Sequence, residues 1–233
     1  MNIDKNVVLR YLGYNPGKTN INNSMQEKID YYISLGLTLL EPNTTYRIFN
    51  TVNINSTGVE LPEADLILPG KDIVKHLKHS KKVCLVAATI GPQLESKVAE
   101  LFRQKEYAGG TILDAVGSDA VEKVADQLQD KLKFIAKKQG YHITWRFCSG
   151  YGDVPLEINR KLAAAVNAES IGIRVTNTNM LIPRKSILGI VGFNLREETA
   201  IPLANKCSYC NATNCPYRNR SDSCAKSNGN ITQ

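Results

Sequence analysis

The hydrophobic and polar positions near the start of the chain predict two short amphipathic helices, over residues 4–14 and 24–36, and Ser24 is expected to open the second. The pattern then changes. From Thr44 to Leu68 it consists of short apolar runs separated by Pro, Gly and Asn, which predict several short strands joined by turns. The first third of the chain is therefore expected to contain both helices and strands.

The middle of the chain contains the two strongest patterns. Residues 82–90 form a continuous apolar run of small and branched side chains, which predicts a strand buried on both faces. Residues 111–139 carry apolar side chains at steps of three and four, which predicts a long helix ended by Gly140. The positions on its apolar face are Leu113, Val116, Ala120, Val124, Leu128, Leu132 and Ile135.

Beyond this helix, further strands and helices are predicted. Residues 141–147 are expected to be extended, residues 149–153 to form a turn, and Pro155 to begin a helix. Two later apolar runs, 171–175 and 186–193, are strand-like. Because the regular strand-helix-strand rhythm of a doubly wound sheet is missing from the pattern, we predict an α+β fold with a mixed, largely antiparallel sheet flanked by helices.

Composition limits the size and the location of the protein. The chain has 233 residues, of which 42% are hydrophobic, which is enough for one sizeable core. Its first residues lack the pattern of a secretory signal, and no stretch reaches the roughly 20 apolar residues of a membrane span, so a cytoplasmic protein is expected. The net charge of +7 would suit nucleic acid or an acidic protein, but the basic residues are scattered along the sequence, which favours an ordinary solvated surface.

Candidate binding residues lie in a glycine-rich turn and on the long helix. In the turn, residues 146–155, backbone N–H groups could bind an anion near the helix start, and Arg146 could hold a carboxylate through two hydrogen bonds. On the long helix, Glu122 lies four residues before Asp126, and a carboxylate there could pair with a ligand ammonium group. The alternatives are an ordinary turn with an exposed arginine and a solvated helix face.

Taken in order, these motifs resemble one known family, the activation domain at the C-terminal end of cobalamin-dependent methionine synthase. That family carries a helix rich in Ala and Glu, then Arg-x-Ala-x-Gly-Tyr-x-x-x-Pro, then a helix, then Pro-x-x-Ser-Val-x-Gly. Here, over about residues 110–193, the long helix is followed at matching spacing by Arg146, Gly150, Tyr151, Pro155, Pro183, Ser186 and Gly189. The resemblance implies that residues 1–205 form an activation-domain-like unit.

The resemblance also implies a binding site for S-adenosylmethionine. Arg146 would hold the carboxylate of this ligand, Glu122 would meet its ammonium group, and Gly150 and its neighbours would offer backbone contacts. Tyr151 would face the cobalamin of a partner protein, and Cys148 would line the pocket.

Three positions depart from the long-form enzymes of this family. Cys148 stands where the family usually has Ala, Glu157 stands where long-form enzymes have His, and Val191-Gly192 stands where they have an aromatic pair. These differences fit a separate short-form protein better than a fused module.

By the same resemblance, the expected function is the reductive reactivation, in trans, of a cobalamin-dependent methionine synthase or a related corrinoid methyltransferase that lacks its own activation domain. S-Adenosylmethionine would be the methyl donor during reduction of cob(II)alamin, which the partner would hold. A flavodoxin or a ferredoxin would be the reductant. The cobalt is the nucleophile in such chemistry, so the chain would contribute positioning and electrostatics as an accessory component of a methyltransferase.

The end of the chain, residues 206–233, is a cysteine-rich tail in which the apolar pattern has disappeared. Four cysteines at short separations could surround a zinc ion or hold an iron–sulfur cluster, and the alternative is a disordered tail with incidental cysteines. These cysteines are Cys207, Cys210, Cys215 and Cys224. Zinc would make the tail a structural knuckle, whereas a cluster would supply the electron for corrinoid reduction.

Two other functions are compatible with the sequence. A zinc-knuckle nucleic-acid-binding module would suit the basic charge, but Tyr209 and Tyr217 alone offer stacking rings near the cysteines, so nucleic acid is not the expected partner. An iron–sulfur electron-transfer protein would dock onto a corrinoid partner without binding S-adenosylmethionine.

Overall fold

In the computed structural model, which describes residues 1–15, 17–50 and 52–195, the strands form three antiparallel sheets. In chain order the strands are β1 (Asn43–Phe49), β2 (Asn53–Ile54), β3 (Gly58–Leu61), β4 (Leu66–Pro69), β5 (Ser80–Thr89), β6 (His142–Ile143), β7 (Phe147–Cys148), β8 (Arg174–Val175), β9 (Leu181–Ile182) and β10 (Ser186–Asn194). The central sheet has the order β1-β5-β10-β6, and β7 also pairs with β10. The second sheet contains β2, β3 and β4, and the third contains β8 and β9.

Helices cover both faces of the central sheet. They are α1 (Lys5–Tyr11), α2 (Asn23–Thr38), α3 (Lys71–Leu77), α4 (Gln93–Arg103), α5 (Tyr107–Lys138) and α6 (Asn159–Ala165), and short 3₁₀ helices occur at Pro62–Ala64, Leu156–Ile158 and Ala168–Ile171. In the part of the chain that the structure describes, no helix combines the length and the apolar character needed to span a bilayer. The predicted α+β fold with a largely antiparallel sheet flanked by helices is confirmed.

The two long strands β5 and β10 form the centre of the main sheet and are buried on both faces. Their register pairs Leu85 with Ile190 and Cys84 with Val191. The first pair belongs to one cluster of buried side chains, and the second pair, which points to the opposite face, belongs to another. The continuous apolar run at 82–90 is thus a strand covered on both sides, as predicted, and here it lies in an antiparallel sheet.

Different elements cover the two faces of this strand pair. One face packs against Leu77 of α3, Leu162 of α6 and Leu68 of β4, and the other packs against Leu132 of α5. The first half of α5, around Leu113, forms a third cluster with α1, α2 and α4. The helix α5 therefore takes part in two of the three clusters and connects the helical layer to the sheet.

The long helix α5 begins at Tyr107, four residues before the predicted start. Glycine weakens an isolated helix, and the pair Gly109-Gly110 hides this first turn from sequence patterns. In the fold, a Cβ at Gly109 would collide with the ring of Tyr32, and a Cβ at Gly110 would press on the ring of Phe102. Tertiary packing against these two rings replaces the missing helix propensity. The helix ends at Lys138, before Gly140, as predicted.

Two other helix boundaries also differ from the prediction. The side chain of Asn22, not Ser24, caps α2 by accepting a hydrogen bond from Met25 N at 2.9 Å. The helix expected to begin at Pro155 consists of a 3₁₀ helix followed by α6, which ends before Asn167, a residue in the left-handed region with φ of 54°.

The extended segment predicted at 141–147 pairs with β10 only at its two ends. His142 and Ile143 form β6, Phe147 begins β7, and the residues between them leave the ladder. Thr144, in this gap, donates its backbone N–H to Gly192 O at 2.9 Å and so keeps the segment close to β10. Arg146, between the two short strands, contacts Glu122, Asp126 and Gln129 of α5.

His76, on α3, is buried against this segment, with 6% of its surface exposed. Its Nε2 lies 2.9 Å from Thr144 Oγ1, which accepts a hydrogen bond from Gly192 N at 2.8 Å. The rings of Trp145 and Phe147 lie 4.7 and 5.2 Å from the imidazole ring, measured between centroids. Burial lowers the pKa of His76 to about 4, so the imidazole is neutral at pH 7.

We expect this histidine to make the protein more stable at pH 7 than at pH 5. Because the pKa of His76 is lower in the folded state than in the unfolded chain, where it is about 6.5, the unfolded state binds more protons between pH 6.5 and 4. The stabilisation is complete above pH 6.5 and is lost as the pH falls towards 4. Urea titrations at pH 7 and pH 5 should show a decrease of about 2 kcal/mol from this residue.

The variant His76→Gln should remove this part of the pH dependence, whereas His79→Gln, at an exposed position three residues later, should keep it. A parallel loss of stability in His76→Gln and the wild type between pH 7 and 5 would contradict the assignment.

Candidate functional site

A pocket of about 340 Å³ lies beside the start of β10, where Ser186 pairs with Thr89 at the end of β5. Its walls come from α5, from the end of β7 and the turn after it, and from the 3₁₀ helix and α6 that follow this turn. The segment from the end of the β8–β9 connection to the start of β10 completes them. The lining residues are Glu122, Cys148, Ser149, Tyr151, Leu156, Asn159, Met180, Leu181, Arg184, Lys185, Ser186, Ile187 and Leu188.

A buried cation, Arg146, lies behind one wall of this pocket. Its side chain is 3% exposed, and Nη2 donates to Glu122 Oε2 at 2.6 Å. Nη1 donates to Asp126 Oδ1 at 3.2 Å and to Gln129 Oε1 at 3.5 Å. Of these acceptors, Glu122 lines the pocket, so the ion pair connects the pocket wall to the interior.

The geometry of this cluster follows from the helix and from one glycine. Glu122, Asp126 and Gln129 are spaced by four and three residues, so they lie on one face of α5. Arg146 reaches them because Gly189 on β10 has no side chain. A Cβ at Gly189 would lie 2.5 Å from Cγ of Arg146, which is too close for any real contact. The glycine is therefore required for the position of the arginine.

The guanidinium of Arg146 is held in its charged form. Burial opposes the charge, but Coulombic interactions with Cys148, Glu122 and Asp126 outweigh it and raise the pKa of Arg146. The result is a fixed positive charge with two carboxylate partners, Glu122 and Asp126, at a position where a ligand carboxylate could replace one of them.

Tyr151 lies in the turn after β7 and is 44% exposed at the edge of the pocket. Its ring packs against Phe147 and Trp145 at centroid distances of 5.9 and 6.3 Å. The Coulombic interaction with Cys148, burial of part of the phenol and the charge of Glu122 together raise the pKa of Tyr151. The phenol is therefore neutral at ordinary pH and presents an uncharged ring and hydroxyl.

Two hydrogen bonds of one buried asparagine, Asn159, form another side of the pocket. Asn159, which is 3% exposed, accepts a hydrogen bond from Ser149 Oγ and donates Nδ2 to Asn179 O at 2.9 Å. These bonds join the turn after β7 to the connection that follows β8. They provide a polar wall close to the apolar side chains of Met180 and Leu181.

Lys185 and Arg184 close the pocket at the start of β10. The ammonium of Lys185 contacts Asp114 Oδ1 at 2.9 Å and Ser118 Oγ at 2.8 Å, both on α5. The backbone N–H of Arg184 donates to Glu95 Oε2 at 2.7 Å on α4. These contacts fix the connection between β9 and β10 to the helical layer.

The five residues predicted from the motifs are brought together in one region. Glu122, Cys148 and Tyr151 line the pocket, and Arg146 lies behind Glu122. Gly150 lies in the turn that carries Tyr151, with φ of 79°, but its N–H donates to Val154 O at 2.9 Å. This amide is therefore used within the turn, and the predicted backbone contacts of Gly150 and its neighbours to a ligand stay a prediction.

Other pocket residues were not identified from the sequence. Arg184, Lys185 and Ser186 fall inside the Pro183-to-Gly189 motif, so that motif marked their segment without assigning them a role. Ser149 falls inside the candidate turn 146–155, which marked its segment without assigning it a role. Asn159 gave no signal, because an asparagine near a helix start is common in any protein.

The predicted metal ligands Cys207, Cys210, Cys215 and Cys224 lie outside the described residues, and so does the boundary predicted after residue 205. Within residues 1–195, excluding the two positions that are not described, no group of three or more His, Cys, Asp or Glu side chains could hold a metal ion. A metal site in the tail stays a prediction.

Comparison with known proteins supports the fold. No family model and no curated protein matches the chain. Among solved structures, the chain is similar to the MetH reactivation domain bound to AdoHcy, with a TM-score of 0.59 and 12% sequence identity. The match covers 82% of this chain and 73% of that chain. At this identity the likeness establishes the fold, and the activation-domain fold expected from the motifs is confirmed.

We expect the ion-pair cluster to respond asymmetrically to mutation. In Arg146→Leu, Glu122 and Asp126 stay partly hydrated, because 40% and 46% of their side chains are exposed. The free energy of unfolding should therefore fall by only about 1 kcal/mol. In the double variant Glu122→Gln/Asp126→Asn, a buried cation loses its charged partners, and the loss should be about 3 kcal/mol. Urea unfolding at pH 7 measures both values.

Asp130→Asn, which neutralises an exposed carboxylate on the same helix, serves as the control and should change stability by less than about 0.5 kcal/mol. The cluster would be misassigned if Arg146→Leu were the more destabilising change.

Proposed function

We propose that the pocket binds S-adenosylmethionine and that the chain thereby supports, in trans, the reductive reactivation of a cobalamin-dependent methionine synthase or a related corrinoid methyltransferase. One observation carries the proposal: a buried arginine, Arg146, is ion-paired with a carboxylate of the pocket wall, Glu122. This pair matches the two charges of the amino-acid end of S-adenosylmethionine.

The amino-acid end can insert into the Arg146–Glu122 pair. The ligand carboxylate takes the place of Glu122 on Nη2 of Arg146, and the ligand ammonium pairs with the released Glu122. One ion pair becomes two, so neither Arg146 nor Glu122 is left without a partner of opposite charge. Asp126 and Gln129 continue to hold Nη1, which keeps the guanidinium in its orientation during the exchange.

The rest of the pocket suits a nucleoside. Its volume of about 340 Å³ lies in the range of small-molecule sites. Leu156, Met180 and Leu181 offer apolar surface for a base, and Ser149 and Asn159 offer polar groups for a ribose or for base edges. The solved MetH reactivation domain carries AdoHcy, the demethylated form of the same ligand, on the same fold.

The proposed role of the chain is positioning. S-Adenosylmethionine supplies an activated methyl group, and the cobalamin of the partner supplies the reduced cobalt that accepts it. Arg146 and Glu122 fix the amino-acid end of the ligand, which leaves the sulfonium as the part that must reach the mouth of the pocket. Tyr151, half exposed there with a neutral phenol, provides the surface that would face the partner's corrin ring.

The proposed partner is a cobalamin-binding protein that lacks its own activation domain, and the chain acts as its accessory component. The electron comes from a carrier such as a flavodoxin or a ferredoxin, or from an iron–sulfur cluster on the cysteine tail. Absorption spectra and metal analysis of anaerobically purified protein, compared with Cys207→Ser, distinguish a cluster from zinc or from no metal.

Calorimetry on the full chain tests the binding site. Wild-type protein should bind both S-adenosylmethionine and AdoHcy, and Arg146→Leu should weaken AdoHcy binding about a hundredfold, because it removes a charge-assisted pair from a buried site. Glu122→Gln should weaken it about tenfold. Asp126→Asn should have a smaller effect than Glu122→Gln, because Asp126 does not line the pocket.

A truncated ligand sharpens the test. 5′-Methylthioadenosine has the nucleoside but lacks the amino-acid end, so Arg146→Leu should leave its affinity nearly unchanged. Arg103→Leu, which removes an exposed arginine from α4, controls for the loss of charge. Equal loss of both ligands in Arg146→Leu would show a folding defect instead of a lost contact, and no heat with wild-type protein would favour the electron-transfer alternative.

A further inference from the structure

The turn that carries Tyr151 is not held by the central sheet. The strand before it, β7, has only two residues, Phe147 and Cys148, and their partners on β10 are Ile190 and Gly189. No described strand pairs with residues 149–153. Gly150, Tyr151, Gly152 and Asp153 are all exposed. Something other than the ladder must determine where this turn lies beside the pocket.

One carboxylate ties the turn to a distant part of the chain. Asp153 Oδ2 accepts a hydrogen bond from Lys71 N at 2.6 Å, and Oδ1 accepts one from Asp72 N at 3.1 Å. These two amides belong to the first turn of α3, more than 80 residues earlier in the chain. Both bonds are charge-assisted, and they lower the pKa of the Asp153 carboxyl. The carboxylate therefore satisfies two amides that have no partner within the helix.

Two glycines allow this close approach. A Cβ at Gly70 would lie against the Asp153 carboxylate, and a Cβ at Gly152 would collide with the side chain of Asp72. Both glycines also have positive φ, 123° and 53°, which other residues rarely adopt. The turn and the start of α3 are thus fitted to each other from both sides, although the sequence motifs assigned no role to Asp153 or to Gly70.

On this geometry we propose that Asp153 is a positioning residue of the site: it ties the turn to the start of α3 and so fixes Tyr151 at the edge of the pocket. Val154, the next residue, is buried and anchors the C-terminal end of the turn in the core. Asp153 reaches the ligand site only through Tyr151 and Gly150. The anchoring of the turn rests on the contacts of Asp153 alone. Its effect on ligand binding rests on the proposed function.

The single tryptophan of the chain reports on the anchor without any ligand. Trp145 packs against Tyr151 at 6.3 Å between ring centroids, so the turn shields one side of the indole. In Asp153→Ala, the turn should move away, and the acrylamide quenching constant of Trp145 should rise roughly twofold. Tyr151→Ala sets the unshielded value, and Asp65→Asn, an exposed carboxylate between β3 and β4, should match the wild type.

Asp153→Asn keeps one acceptor oxygen and should lie between the wild type and Asp153→Ala. The proposed anchoring is overturned if the acrylamide quenching constant of Trp145 is the same in Asp153→Ala as in Asp65→Asn. All variants are compared without urea, at a temperature at which circular dichroism shows that they are equally folded. A global loss of stability therefore does not affect the quenching constants.

Calorimetry then tests the consequence for the site. Asp153→Ala should weaken AdoHcy binding about tenfold, with Asp65→Asn unchanged and Asp153→Asn intermediate. If Trp145 becomes more accessible while the affinity for AdoHcy is unchanged, the positioning role is overturned. If the wild type binds no AdoHcy, the proposed function fails, and the quenching result still decides whether Asp153 anchors the turn.

Discussion

Burial of β5 and β10 on both faces is the constraint on which the rest of the structure depends. A strand pair of this kind must be covered by a layer on each side, and in this protein α5 covers one face while α3, α6 and the small sheet cover the other. The pocket lies at the end of the same strand pair, next to Ser186. Its walls are therefore the ends of elements that are already fixed by the core.

The charges of the site are arranged around a buried arginine that needs acidic partners. Arg146 cannot lose its charge, so its burial is tolerated only because Glu122 and Asp126 lie on the facing helix. One of these partners also lines the pocket. On the proposed function, this ion pair would serve as a preformed receptor for a molecule that carries one charge of each sign, and little reorganisation would be needed when the molecule binds.

Sequence patterns predicted most of the long helix from its period of three and four residues, the central strand at 82–90 from its continuous apolar run, and the α+β class from the irregular order of the elements. They missed the first turn of α5, since Gly109 and Gly110 are stabilised there by Tyr32 and Phe102 from other helices. They named Arg146 and Glu122 separately, through a family resemblance, and assigned each to a ligand.

Their mutual ion pair could not be predicted from the sequence. It spans 24 residues and depends on the missing side chain of Gly189, which lies on a third element, β10. The contribution of Asn159 was missed for a similar reason, because its partners come from two connections that meet only in the folded chain.

The helix α5 contributes both to the helical core and to the candidate site, and this limits where proteins with this fold can vary in length. Its first half packs against α1, α2 and α4, and its later turns present Glu122, Asp126 and Gln129 to Arg146. A one-residue insertion between Leu113 and Glu122 would rotate these three side chains by about 100° relative to the first half of the helix. Seven inserted residues would restore the direction to within about 20° but would move the carboxylates about 10 Å along the axis. Length changes are therefore expected in the connections that flank α5 and not within it.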